Sequence, residues 1–327
     1  MLKDKNLFYY HKKIDKQVIS VAQKILRRRV LDVDKMKHGE VNHVYKITTS
    51  RGNVLMRIFK NKRWPEKGKY LWIERQLLKH KIPHAKILYY SRSSAYFPNG
   101  LMITEFIEGW NGRVAVEMHK ITLAQAYSHI GKILKAVHKI SVKKFGLVNN
   151  GKGNYSDFLK WKLEKDVHER FKNLKPTKAL PEDLLSKIEG RVTECFLPFN
   201  KRLKPVLNHG DANRDNGIFS KEGQWILIDW DNARSSTWLD DYSNLTFWAD
   251  FRQTKDFAKR RLTTLRKSFF KGYGKVPFTQ SEIGKIEYGL HIIMCMRPLP
   301  YYYFNKKNMK DFETTKRKLI RLLKKDF

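Results

Sequence analysis

The hydrophobic pattern of this chain changes period near Gly109, and that one change excludes most architectures. Before it, apolar residues come in short, strand-like runs. Val41, Val44, Tyr45 and Ile47 fall within residues 40–48, Ser50-Arg51-Gly52-Asn53 is a turn, and residues 54–59 continue as a second strand, so a hairpin is expected. Residues 87–90 and 101–107 read as further strands. Two helices accompany them: Val18, Val21, Ala22 and Ile25 recur at three- and four-residue steps in an amphipathic surface helix, and Leu71, Ile73, Leu77 and Leu78 do so ahead of Pro83. Beyond Gly109 the helical period dominates, over 124–140, 157–171, 183–196, 239–272, 281–296 and a Lys-rich amphipathic end at 306–327. The expected chain is α+β, with a small antiparallel β-sheet lobe over residues 1–108 and a larger, mainly helical lobe over 109–327.

With 327 residues, 41% of them apolar and 13% aromatic, the chain can bury a core despite a net charge of +35, which argues against disorder. That charge attracts polyanions whatever the fold. The basic residues are spread along the whole chain, however, without an RNA-recognition, helix-turn-helix or zinc-finger pattern, so charge leaves a nucleic-acid partner open without indicating one. Cys195 and Cys295 are too few for a disulfide framework and are not spaced as C-x-x-C, which favours a reduced, cytoplasmic setting without structural zinc. No apolar run approaches the ~20 residues of a membrane span. One stretch runs against the general charge: between residues 206 and 250, Arg214, Lys221 and Arg234 are outnumbered by Asp211, Asp215, Glu222, Asp229, Asp231, Asp240, Asp241 and Asp250. Clustering like charge costs free energy unless cations or water offset it, which directs the search for chemistry to this stretch.

Within it the chain reads Asn208-His209-Gly210-Asp211-Ala212-Asn213-Arg214-Asp215-Asn216, and the next apolar run ends in Ile228-Asp229-Trp230-Asp231. A carboxylate, an amide five residues later and a second carboxylate closing the next strand are what phosphoryl transfer from a nucleotide requires. The first carboxylate orients an attacking hydroxyl and takes its proton, while the amide and the second carboxylate hold magnesium. The arrangement resembles the catalytic and metal loops of the aminoglycoside phosphotransferase and choline kinase superfamily, whose form is H-G-D-x-x-x-x-N followed by I-D-W/F-E/D. It is the counterpart of the H-R-D-x-x-x-x-N and D-F-G pair of protein kinases. The resemblance implies a two-lobed protein-kinase-like fold, ATP or GTP as donor, Mg2+ as cofactor, Asp211 and His209 as catalytic residues with Asp211 the base, and Asn216 and Asp229 as metal ligands. A plain Asx turn would use the same residue types. A dinuclear metallophosphatase shares Asp166-Val167-His168 and Gly210-Asp211 with this chain, but its later G-N-H-[DE] block and His pair are missing, as are the P-loop and Rossmann glycine patterns.

In the small lobe, Gly39-Glu40-Val41-Asn42-His43-Val44-Tyr45 resembles the family's phosphate-covering hairpin, which implies Gly39 and Asn42 at the phosphates. Arg57 falls where the family places a Lys or Arg on the α and β phosphates, with Glu74 of the following helix as the partner that directs it. Glu105-Phe106-Ile107-Glu108-Gly109 resembles the segment joining the lobes, which implies adenine contacts from the backbone of Glu105 and Ile107. Trp238-Leu239-Asp240-Asp241-Tyr242 resembles the D-L-A segment, with Asp241 as buttress of the catalytic loop. The chain departs from the family at Asn213, where many members have His, at Arg214 for Pro, at Asp215 for Gly and at Tyr242 for Leu.

Acids in excess of catalysis, Asp231, Asp240 and Asp250, suggest a cationic hydroxyl acceptor, an aminoglycoside, amino sugar or amino alcohol such as choline, with Asp231, Asp241 and Trp238 as candidate contacts. The positive surroundings suggest the alternative of an anionic envelope sugar steered by Lys and Arg. A non-catalytic, spore-coat-like structural protein is the third reading, against which the retention of Asp211, Asn216 and Asp229 counts.

Overall fold

The computed structural model describes residues 16–36, 42–61, 68–148, 150–251 and 255–324. The chain forms two compact units, residues 1–110 with 220–231 and residues 111–219 with 232–327. In the first, β1 (Val30–Lys35), β2 (His43–Thr49), β3 (Gly52–Ile58), β4 (Ile87–Ser91) and β5 (Leu101–Glu105) make one antiparallel sheet in the order β1-β2-β3-β5-β4. The expected hairpin is β2–β3, closing at Thr49 opposite Gly52. Side chains alternate across a strand. In β3, Val54, Met56 and Ile58 therefore enter the core with Tyr45, Ile47, Leu101 and Ile103, while Arg57 points to the other face. Helix α1 (residues 16–26) packs the apolar stripe Val18, Val21 and Ala22 on that core, as its three- and four-residue spacing requires. Helix α2 (Lys69–Lys79) buries Tyr70, Trp72, Ile73 and Leu77.

β6 (Gly109–Asn111) carries the chain into the second unit, whose helices are α3 (Gly112–Glu117), α4 (Leu123–Val137), α5 (Phe158–Trp161), α6 (Glu169–Leu174), α7 (Leu184–Phe196), α8 (Trp238–Phe251), α9 (Lys255–Tyr273), α10 (Gln280–Met296) and α11 (Met309–Leu323). Between α5 and α6 the helix is wound as a π-helix over Lys162–His168. Thr122 and Thr279 start α4 and α10 with reciprocal capping boxes, to Gln125 and Glu282. Gly131 of α4 and Gly272 of α9 let those helices approach closely: a Cβ on Gly131 would collide with the Phe269 carbonyl oxygen, and one on Gly272 with that of Ser128. α11, the Lys-rich end, buries Phe312, Thr315, Leu319 and Leu322. A small antiparallel sheet of β7 (Gly146–Leu147), β8 (Val206–Asn208) and β11 (Arg234–Ser236), in the order β7-β11-β8, holds the start of the acid-rich loop. β9 (Gly217–Ser220) returns the chain to the first unit, where β10 (Trp225–Leu227) lies. Among the described residues no helix is long and apolar enough to cross a membrane, and both cysteines are buried and free.

Candidate active site

β8 ends at Asn208, paired with Arg234 of β11, and the chain then turns at Gly210 with φ +81°. That left-handed conformation favours glycine, and a Cβ there would also meet the carbonyl oxygen of Asn232. The turn is gripped from α8. Asp241, fully buried in the first turn of that helix, accepts hydrogen bonds from the Gly210 amide at 2.7 Å and the His209 amide at 2.9 Å. His138 Nε2 lies 3.1 Å from the same carboxylate, and its Nδ1 is 2.9 Å from the Tyr273 hydroxyl. Burial pushes the Asp241 carboxyl up, but the hydrogen bond from His138 and the loop amide outweigh it and hold the group below its ordinary value. Asn208 donates to the Thr237 carbonyl and Asn244 to the Gly210 carbonyl, each at 3.0 Å. The His209 ring is fully buried, and its Nδ1 accepts from the Asp211 amide at 3.3 Å. The sequence places His209 among the catalytic groups, and the structure buries its ring against the backbone of the loop that carries Asp211.

Two amides hold the Asp211 carboxylate. Asn213 Nδ2 donates to Oδ1 at 3.0 Å and Asn216 Nδ2 to Oδ2 at 2.9 Å, while Asn213 Oδ1 accepts the amides of Asp215 and Asn216. The Asn216 Nδ2 group also donates to the Asp211 carbonyl at 2.9 Å. Asp211 lines a cavity of about 520 Å³ together with Arg113, Glu117, Tyr127, Arg214, Trp248 and Arg261.

In the first unit Arg57 is the centre of a second constellation. Its Nη2 donates to Asp229 Oδ1 at 3.0 Å, and its Nη1 to Asp231 Oδ1 and to the Tyr70 hydroxyl, both at 2.7 Å. Burial opposes the charged guanidinium, yet the two carboxylates raise its pKa above the ordinary value. Asp229 adopts φ 63°, a left-handed conformation that Asp tolerates better than most residues and that is concentrated at functional sites. One of its oxygens is on Arg57, and its side chain is 40% exposed. Among the described residues no group of three or more His, Cys, Asp and Glu is placed to hold a metal ion.

Several expectations are corrected. Among the described residues Glu74 does not pair with Arg57: its Oε1 accepts the Ile87 amide, and the carboxylates on Arg57 are Asp229 and Asp231. Asp231 is 6% exposed, and its carbonyl accepts from the buried Lys69 at 2.8 Å, so it does not contact an acceptor. Asp241, with no exposure, faces the amides of the loop and not the cavity lining. Trp238 stacks on Tyr273 at 5.1 Å within a cluster that includes Tyr242, Phe270 and Phe278, an aromatic core. Asn42 is buried, with Oδ1 on the Lys60 amide at 3.3 Å, and Gly39 lies outside the described residues. Glu105 ends β5, its carboxylate 3.8 Å from Lys86 Nζ, and Ile107 follows in irregular chain. Tyr70 and Lys69, which position Arg57 and Asp231, carried no signal in the sequence beyond their place at the start of a helix. Arg214 did carry one, as a departure from the family pattern.

Sequence comparison decides the family: the model of the phosphotransferase enzyme family, APH, matches residues 32–280. The chain belongs to the phosphotransferase enzyme family. None of the curated proteins compared matches the sequence. Among solved structures, this phosphotransferase is similar to a thermostable variant of aminoglycoside phosphotransferase APH(4)-Ia in complex with ADP and hygromycin B, with TM-score 0.67 and 13% identity over 93% of this chain and 96% of that one. It is also similar to a candidate fructosamine-3-kinase from Thermobifida fusca YX-ER1, with TM-score 0.63 and 14% identity over 93% and 98% of the two chains. At such identities the likeness establishes the kinase-like fold.

Proposed function

We propose that this phosphotransferase moves the γ-phosphoryl group of ATP or GTP to a hydroxyl of a small molecule, with Asp211 as general base. The observation that carries the reading is the Asp211 carboxylate, aimed by Asn213 and Asn216 and lining a cavity of small-molecule size. In the reaction the acceptor oxygen forms a new P–O bond, the bond from the γ-phosphorus to the bridging oxygen breaks, the hydroxyl proton passes to Asp211, and the nucleoside diphosphate leaves. Bound magnesium, with Asn216 and Asp229 as the proposed donors, would neutralise charge on the phosphates. Arg57 is proposed for the α and β phosphates and the backbone at Glu105 and Ile107 for the adenine edge. His209 and Asp241 keep the base pointed at the acceptor. Of the acids that suggested a cationic acceptor, Asp231 pairs with Arg57, Asp240 with Lys162 and Asp241 with the loop amides, while the Asp250 side chain lies outside the described residues.

The test is magnesium-dependent ATP turnover followed by phosphorus NMR across aminoglycosides, choline, neutral sugars and sugar acids. Asp211→Asn removes the proton acceptor and is expected to lower kcat about 10²–10⁴-fold, the usual contribution of general acid–base catalysis. Asp229→Asn is expected to abolish magnesium-dependent turnover. Wild-type rates in both variants would eliminate the assignment.

A further inference from the structure

The charge of the cavity does not fit a cationic acceptor. Three arginines and three acids line it, together with the uncharged Tyr127, Asn213, Leu245, Trp248 and Ala249. Asp215 is consumed by Arg113, whose Nε donates to Oδ1 at 2.7 Å while Nη2 donates to Oδ2. Glu117 is exposed, on the same short helix as Arg113 and within its electrostatic reach. Asp211 is held by Asn213 and Asn216 for the acceptor hydroxyl. That leaves Arg214 and Arg261. Among the described residues neither forms an ion pair, and Arg261 Nε donates to the neutral Tyr127 hydroxyl at 3.1 Å. Burial, with the charges of Arg261 and Arg113, pushes the Arg214 guanidinium below its ordinary value against the opposing pull of Tyr127 and Asp215, so burial and the neighbouring cations outweigh the acid already present.

Resting on the kinase reading above, we propose that the acceptor is a hydroxyl compound bearing a phosphate or carboxylate group, and that Arg214 and Arg261 bind this anion while Asp211 takes the hydroxyl proton. Guanidinium groups suit such anions because their donors match the oxyanion geometry, and charge-assisted hydrogen bonds are roughly twice as strong as neutral ones. Trp248 and Leu245 give the acceptor an apolar wall, as a sugar ring or short polyol requires. Three of the four positions at which the chain departs from its family, Asn213, Arg214 and Asp215, line this cavity, so the departures fall where an acceptor is chosen.

Calorimetric titration of the full chain with glucose 6-phosphate, glucuronate, glucose and glucosamine, in a phosphate-free buffer, tests the assignment without requiring turnover. The two anionic probes are expected to bind at least about tenfold more tightly than glucose, and glucosamine no more tightly than glucose. Arg214→Gln and Arg261→Gln should each weaken the anionic probes about tenfold and leave glucose unchanged, whereas Arg214→Lys should keep most of the preference. An anion bound at the nucleotide phosphates instead would keep its affinity in both Gln variants, and that result overturns the proposal. So would equal affinity for all four probes, or a loss of glucose binding as large as that of the anions. ATP binding is measured in parallel: with nucleotide bound and the anion preference absent, only the acceptor assignment falls; with the preference present and no nucleotide bound, the kinase reading falls and the anion site stands.

Discussion

The larger unit holds two groups of arginine and aspartate side chains, and they are used in opposite ways. In the first, Lys162 Nζ lies 2.8 Å from Asp240 and 3.4 Å from Asp166, Arg297 bonds Asp166 at 2.9 Å and reaches Asp240 at 3.4 Å, and Arg234 approaches Asp240 at 3.5 Å. Lys162 and Asp240 have no side-chain exposure. In the second, around the cavity, the ions are partly exposed, Arg113 and Asp215 are about half accessible, and Arg214 and Arg261 have cationic groups without acidic partners among the described residues. A buried network must satisfy its charges internally or be destabilising, because desolvated ions cannot borrow water. A binding site does the reverse and keeps charge unsatisfied until the ligand supplies it. Saturation, not the number of charged residues, distinguishes the two.

Breaking the closed group should therefore cost stability and not specificity. Asp240→Asn leaves Lys162, Arg234 and Arg297 facing one carboxylate fewer and is expected to destabilise the chain by about 3–5 kcal/mol, the usual penalty for removing one partner of a buried pair. Chemical denaturation measures it. The affinity ratio of anionic to neutral probes should be unchanged in protein that remains folded. A normal denaturation midpoint would mean that this group is not the structural one.

The same comparison explains what could be read from the sequence. The contact between Asp211 and Asn216 follows from one short loop, because residues five apart in a turn are held together locally. Arg57 was legible as a strand cation, but its partner was not: Glu74 is 17 residues away and on the next helix, while the actual carboxylates, Asp229 and Asp231, are more than 170 residues distant, and chain order cannot rank contacts across that gap. Asp231, Asp240 and Asp241 looked like an acidic island for the same reason. Each is met by a group from far along the chain: Arg57 and Lys162 pair with Asp231 and Asp240, and His138 Nε2 lies at hydrogen-bond distance from Asp241. Arg214 was visible as a departure, but its meaning depended on Arg261, brought to the same cavity from a separate helix. The strands and helices themselves were legible because period alone dictates which face is buried.

A smaller effect separates the groups by pH. Burial lowers the Lys162 pKa to about 8, with Asp240 opposing the shift. Between pH 8 and the ordinary lysine value of 10.5 the unfolded chain holds a proton that the folded chain has released, so this residue makes stability rise with pH across that window. Asp166 and Asp240 act at the other end. Burial alone would raise both carboxyls, but the cations around them hold both below 3.8, so their stabilisation is complete above that value and lost as pH falls through the folded values. Thermal midpoints of wild type and Lys162→Met across pH 8–10.5 should differ in slope, the variant lacking the rise; parallel curves would assign the alkaline behaviour to other groups.

The smallest expected effect in stability is the most informative about specificity. Arg113 and Asp215 are 50% and 48% exposed, so their ion pair, although two hydrogen bonds hold it, contributes less than about 1 kcal/mol to folding. Its proposed role is to neutralise Asp215 at the cavity wall. Arg113→Gln releases that carboxylate, adding a negative charge to the lining while leaving the fold intact. The anionic probes should then lose affinity by several-fold and glucosamine should gain, moving the cavity towards the balance of a cation site, with the thermal midpoint nearly constant. Were the probes indifferent to this change, Asp215 would not be part of the acceptor surface and the contrast between saturated and unsaturated charge would rest on Arg214 and Arg261 alone.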